Sequence, residues 1–143
     1  MNINFDMDGT LVDLYGVENW LPMLRNKDAT PYRIAKPLVN FSQLARLLNR
    51  LIAQGYKVNV ITWLSKDSNA EYDAEVERVK REYLAKHLPS VKWSDIIVLK
   101  YGTPKEEHGS GILFDDEEKN RKNWKGAAYD EKEIIANLKA LLA

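Results

Sequence analysis

The stretch Phe5-Asp6-Met7-Asp8-Gly9-Thr10-Leu11-Val12-Asp13 decides the fold. Before it, Asn2-Ile3-Asn4-Phe5 alternates and is partly β-branched, which predicts a strand. The strand runs into two carboxylates, Asp6 and Asp8, at i and i+2, a spacing that puts both on one face of an extended chain. Gly9 lets the chain turn away and leaves room for a ligand beside the backbone. Two carboxylates held together repel unless positive charge lies between them, and a divalent cation is the obvious candidate.

Residues 40–54 predict a helix, because Phe41, Leu44, Leu47, Leu48, Leu51 and Ile52 recur at three- and four-residue steps. Gly55 suits the position just past its end. Residues 57–61 predict a buried strand that stops at Thr62. A polar turn at 65–69 leads to a long helix over about 70–87. Val76, Val79 and Tyr83 mark its buried side, with Glu77–Arg81 and Glu82–Lys86 as solvent pairs. Pro89 ends it. A third strand spans Asp95–Leu99. Thr103 then predicts an N-cap, with Pro104 at N1 of a short helix. Gly111-Ile112-Leu113-Phe114 predicts a fourth strand entering Asp115-Asp116. A short polar helix at 117–123, a weak fifth strand at 126–129 and a last helix carrying Ile134, Ile135, Leu138, Leu141 and Leu142 complete the chain. Residues 14–38 read as irregular, with a short helix at 20–24 and breaks at Pro31 and Pro37.

Alternating strands and helices predict an α/β, Rossmann-like three-layer sandwich: a central parallel sheet of about five strands with helices on both faces. Residues 1–143 then form a single domain, with a small insertion at about 14–38 beside the acidic pair. Ligands of such sheets bind at the carboxyl ends of the strands, where strand order reverses. Asp6, Asp8, Thr62, Asp115 and Asp116 all fall at such ends, and Lys105 lies on the turn just before the fourth strand.

The bulk composition narrows the function. The chain has 143 residues, 45% hydrophobic and 29% charged, which is one domain with one core. Basic and acidic residues balance at 21 each, so no global charge favours nucleic acid or an anionic membrane. The absence of cysteine excludes disulfides, thiolate catalysis and cysteine-held zinc or iron–sulfur clusters. Two histidines, His87 and His108, are too few for a histidine-rich metal site. No run approaches a membrane span, and the N-terminus lacks the basic and apolar regions of a signal peptide, so a cytoplasmic location with no membrane partner is expected.

Asp6-Met7-Asp8-Gly9-Thr10-Leu11-Val12 resembles the first motif, DxDGT(L/V), of the haloacid dehalogenase (HAD) superfamily, most of whose members are magnesium-dependent phosphohydrolases. Thr62 stands where the family's second motif has Ser or Thr. Lys105 stands where the third has a basic residue, with Lys100 as its competitor. Asp115-Asp116 resembles the fourth motif in its DD form. The resemblance implies a hydrolase that cleaves a phosphate monoester through an aspartyl-phosphate. In that scheme Asp6 is the nucleophile, Asp8 the acid–base group, and Lys105 the steadying cation. Thr62 and the N–H after it hold a phosphoryl oxygen. Mg²⁺ is the implied cofactor, held by Asp6, the Asp8 carbonyl and Asp116, with Asp115 supporting the metal's water or Lys105. Four carboxylates against one lysine and one divalent cation leave about one negative charge, so phosphate binding is expected to need the metal.

HAD phosphatases often select substrates with a cap domain, and the segment at 14–38 has no room for a full one. The resemblance thus implies a capless or minimally capped member. Such members act on a larger phosphorylated substrate that covers the site, or form a homo-oligomer in which a neighbour covers it; a small-molecule phosphate ester is the other substrate class. Tyr15, Trp20 and Tyr32 with Arg25, Lys27, Arg33 and Lys36, and Trp63 after Thr62, would stack a nucleobase and hold its phosphate. The simpler reading, that Trp20 and Leu21 pack the flap on the core, is preferred. The DDxxxN spacing from Asp115 to Asn120, followed by Trp124, resembles nucleotidase-like members, making a (deoxy)nucleotidase the alternative. A phosphotransferase or mutase would need a cap to exclude water. A dehalogenase has no use for Asp8. A receiver domain places its phosphorylated Asp on a middle strand, whereas here DxDGT opens the chain. A non-catalytic HAD-like phosphate-binding domain is disfavoured by the intact acids. Of the remaining residues, Asp13 reads as a cap or turn, His87 as a helix C-terminal charge and His108 as a loop residue. Residues 119–124 read as a solvated helix face from which Asn120 braces the acidic loop.

Overall fold

The computed structural model describes residues 1–143. Its strands are β1 (Asn2–Phe5), β2 (Val12–Asp13), β3 (Lys36–Pro37), β4 (Lys57–Trp63), β5 (Asp95–Leu99), β6 (Ile112–Phe114) and β7 (Ala128–Tyr129). Its helices are α1 (Trp20–Arg25), α2 (Thr30–Ile34), α3 (Phe41–Ala53), α4 (Ala70–His87), α5 (Glu118–Asn123) and α6 (Ile134–Leu142). Five strands form a parallel sheet in the order β5-β4-β1-β6-β7. Chain order therefore reverses at β1, the point at which such sheets open a crevice. This is the expected α/β, Rossmann-like sheet.

The two faces of the sheet are built differently. Ile3, Phe5, Val58, Val60, Ile112 and Phe114 share one face and meet Leu44, Leu48 and Leu51 of α3, Tyr83 and Leu84 of α4, and Ile134 and Leu138 of α6. Burying each such side chain contributes about 1.5–3 kcal/mol, which makes this the main core. The opposite face carries Asn4 and Asn59 beside Ile61 and Leu113. Asn59 Nδ2 donates to Asn4 Oδ1 at 3.1 Å, and Asn4 Nδ2 donates to the carbonyls of Ser110 at 2.7 Å and Ile112 at 3.0 Å. Asn59 Oδ1 accepts from the Asp95 N–H at 3.1 Å. This amide chain ties β5, β4, β1 and β6 into one register, because a one-residue slip would turn the amides into the apolar core. A mostly apolar helix would not suit that face. It is covered instead by Trp124, which packs on Ile61 and Leu113 at the end of α5 and donates from Nε1 to the Gly111 carbonyl at 2.9 Å. The helical cover is thus heavy on one face and light on the other.

Several local expectations are corrected. Residues 14–38 are ordered into elements: Pro31 lies in the first turn of α2, where its missing N–H costs nothing, and Pro37 pairs with Val12 in an antiparallel two-strand ribbon. Thr103 caps no helix. Its hydroxyl donates to the Lys100 carbonyl at 2.7 Å, and a 3-10 turn, Lys105–Glu107, follows Pro104. Glu82 pairs with Arg78, not with Lys86. The face at 119–124 is not wholly solvated, since Asn120 and Trp124 are buried. His87 does close α4, with its ring lying on Tyr83, and partial desolvation together with Lys86 lowers its pKa.

Candidate active site

The crevice at β1 is where the acids meet. Asp6 follows β1, and Asp115 and Asp116 follow the neighbouring β6, so the parallel register of Phe5 with Phe114 puts both acidic segments at one sheet edge. The turn at Gly9 returns the chain beside them. Gly9 has φ +82°, and a Cβ there would lie 2.4 Å from Asp116 Oδ2 and 2.9 Å from the Tyr15 ring, so glycine alone fits. Thr10, fully buried, links the two segments: its Oγ1 lies 3.0 Å from Asp6 Oδ2 and 3.2 Å from Asp116 Oδ1, and it accepts from the Asp116 N–H at 3.0 Å.

Lys105 is the buried cation between these segments. Its Nζ donates to Asp6 Oδ1 at 2.8 Å and to Asp115 Oδ2 at 2.9 Å. Burial alone would lower its pKa, but the charges of Asp6 and Asp115 outweigh burial and raise it, so the lysine stays charged. Lys100 is exposed at the end of β5 and makes no ion pair with the acids, so of the two candidate lysines Lys105 occupies the site. Asp115 has further partners on both oxygens. Oδ2 also accepts from Asn120 Nδ2 at 3.1 Å, and Oδ1 accepts from the Glu117 N–H at 2.9 Å. Asn120 thus braces the acidic loop, as its spacing suggested.

Charge is unevenly shared. Burial would raise the pKa of Asp6, but the Lys105 charge and hydrogen bonds from Asp116 and Lys105 outweigh it and hold it below the usual carboxylate value. Burial, and then the Asp6 charge, push Asp115 up to about 6. Burial, a hydrogen bond shared with Asp6 and the charges of Asp6 and Asp115 push Asp116 up to about 8. Carboxyl groups raised in this way are short of positive charge. Oxygens of Asp6, Asp115 and Asp116 lie within 4.8 Å of one another, a donor set that suits a hard divalent cation.

The sequence reading missed Lys80. It lies on α4 between Val76 and Tyr83, inside the apolar stripe, and is fully buried. Its Nζ donates to Asp8 Oδ2, to Thr62 Oγ1 and to the Trp63 carbonyl, each at 2.7 Å. A charged residue at i+4 from Val76 and i−3 from Tyr83 was the available signal. Its presence corrects the charge count. Four carboxylates now face two ammonium groups, formally two negative charges in excess, which one divalent cation balances. Thr62 is fully buried beneath the crevice, with its hydroxyl oxygen accepting from Lys80. Burial raises the Asp8 pKa while Lys80 opposes the rise.

Above the acids lies a cavity of about 230 Å³. Asp6, Asp8 and Lys105 are at its base, Tyr15, Trp20 and Leu21 line the side made by residues 14–38, and Trp63 and Tyr101 line the other. Tyr15 stacks edge-on to Trp20 at 5.0 Å, and Trp63 tilts against Tyr101 at 5.2 Å. Trp20 also packs on the small core of Leu14, Leu24, Tyr32 and Leu64, so it both anchors the flap and lines the cavity. Arg25, Lys27, Arg33 and Lys36 are all exposed and none lines the cavity, so the convergence of basic groups that the less favoured nucleobase-stacking reading needs does not occur. His108 follows the 3-10 turn and is exposed, and Asp13 caps the turn at Gly16.

No helix is long and apolar enough to cross a membrane. No protein-family model matches the chain, and no curated protein sequence matches it. Among solved structures, the crystal structure of D,D-heptose 1,7-bisphosphate phosphatase from Burkholderia thailandensis matches over 99% of this chain and 98% of its own, at 13% identity and a TM-score of 0.56. At that identity the likeness establishes the fold alone: along its whole length the chain shares the Rossmann-type α/β architecture of that structure.

Proposed function

We propose that this protein is a Mg²⁺-dependent phosphohydrolase that cleaves a phosphate monoester through an aspartyl-phosphate on Asp6. The observation that carries the reading is Lys105, buried between Asp6 and Asp115 with Asp116 alongside, at the crevice where strand order reverses. Asp6, held ionised by Lys105, attacks phosphorus and the bond to the ester oxygen breaks. Asp8 gives its proton to that leaving oxygen, then takes one from the water that hydrolyses the acyl phosphate. Lys105 keeps Asp6 in place and faces the charge of the phosphoryl group. Asp6, Asp116 and the Asp8 carbonyl would hold the magnesium ion, while Asp115, which accepts from Lys105, Asn120 and the Glu117 N–H, braces Lys105 and the loop. When bound, the ion supplies positive charge to the phosphoryl oxygens.

The test is phosphate release from nucleotides, sugar phosphates and phosphopeptides, with Mg²⁺ and with EDTA. Release is expected only with metal, and not from Asp6→Asn. Equal release by Asp6→Asn, or release unaffected by EDTA, refutes the mechanism.

A second, narrower reading is a nucleotidase. It is favoured by the aromatic walls of the cavity, whose size suits a small ester better than a macromolecule. A lower KM for nucleoside monophosphates than for sugar phosphates, lost in Trp63→Ala, supports it; equal KM values count against it.

A further inference from the structure

We propose that Lys80 is a positioning residue that sets Asp8 for proton transfer and turns the Thr62 hydroxyl into a donor; the inference rests on the phosphohydrolase reading above. The ammonium has three N–H groups, and all three are used, on Asp8 Oδ2, Thr62 Oγ1 and the Trp63 carbonyl. Lys80 therefore has no proton left for a substrate, and it acts through its partners.

Each partner is changed by the contact. Asp8 lines the cavity, and with Oδ2 committed to Lys80 its Oδ1 is the oxygen left for a leaving group. The Thr62 oxygen accepts from Lys80, so its own proton points elsewhere as a donor. The Trp63 carbonyl is fixed at the end of β4, where the chain leaves the sheet for the cavity wall. Lys80 Nζ also lies 4.9 Å from the centre of the Tyr32 ring, and the Tyr32 hydroxyl meets Ser65, so the same ammonium ties α2 to the crevice. A scaffold role alone explains this poorly. A lysine in the apolar stripe of α4 is costly to bury, and a hydrophobic side chain of similar volume would serve packing as well or better.

The experiment compares wild type, Lys80→Met, Asp8→Asn and the double variant on an alkyl phosphate, which needs its leaving oxygen protonated, and on p-nitrophenyl phosphate, which does not. Asp6→Asn is the control. Lys80→Met is expected to lose roughly 100-fold in kcat/KM, which reports phosphoryl transfer to Asp6 and not the later hydrolysis common to both esters, on the alkyl ester and less than about tenfold on the aryl ester, with KM for the alkyl ester changed less than about threefold. The double variant is expected to be no slower than Asp8→Asn alone. Thermal melts of the metal-free proteins should show non-additive shifts for the two single changes. Equal loss on both esters, or additive loss in the double variant, overturns the proposal. Lys80→Gln keeps two donors and is run in parallel. If both Lys80 variants fail to fold, Lys80 belongs to the scaffold and the proposal is overturned. If wild type releases no phosphate in a metal-dependent manner, the phosphohydrolase reading itself falls and takes this inference with it.

Discussion

Replacing Lys105 by Met, which keeps the length and removes the charge, is expected to be the most damaging single change at the crevice. Lys105 has 2% of its side chain exposed and is the only cation bonded to Asp6 and Asp115, at 2.8 and 2.9 Å. Removing one partner of a buried ion pair costs about 3–5 kcal/mol, because the other charge is left uncompensated. For a domain of this size that lowers Tm by about 10–15 °C. The deficit should depend on pH in a definite sense. Asp115 titrates at about 6 in the folded protein against an ordinary value of 3.8, so folding favours its protonated form. Stability from that group is fully present below the unfolded value and is lost as pH rises through the folded one. Lys105 pulls the Asp115 pKa down, so without it the proton is held to still higher pH and the loss extends further upward. Calorimetry of Lys105→Met should therefore show a larger Tm deficit near pH 8 than near pH 5, and Mg²⁺ should narrow the gap near pH 8. A drop below about 3 °C, or a deficit independent of pH, would refute the idea that Lys105 compensates these carboxylates.

Two further changes probe the turn after β1. Thr10→Val keeps shape but leaves the Asp116 N–H without its acceptor and frees Asp6 and Asp116 from their link, so denaturant melts should show a loss of about 1–3 kcal/mol. Gly9→Ala places a methyl 2.4 Å from Asp116 Oδ2 at φ +82°, and should cost about 1–3 kcal/mol in the same assay. It should also abolish the stabilisation of Tm by Mg²⁺, since Asp116 has to move. A Gly9→Ala protein stabilised by Mg²⁺ as strongly as wild type would exclude Asp116 from metal binding.

The alternation of strands and helices was legible because both periods are local. Apolar residues every two, or every three to four, positions report which side of an element is buried before any partner is known. The placement of Asp6, Thr62, Asp115 and Asp116 at strand ends followed from the same reading. Residues 14–38 were harder. The ribbon of Val12–Asp13 with Lys36–Pro37 joins short segments about two dozen residues apart, and neither segment has a periodic pattern long enough to be recognised. Trp124 was misread because five polar or charged residues precede it, while its burial depends on a sheet face made by Ile61 and Leu113.

By itself, then, the sequence determined the order of the elements, the opening DxDGT turn and the candidate acids, since each is written in residue type and short-range spacing. The three-dimensional fold decided which charges meet. Lys105 lies 99 positions from Asp6 and Lys80 lies 72 positions from Asp8; the apolar stripe around Lys80 marks it as buried, but no local pattern names its partner or tells Lys105 from Lys100. Only packing strips water from such a group and leaves it no choice but its partner. For that reason the pair that opens the chain, read as two acids awaiting a cation, is two acids each already held by its own buried lysine.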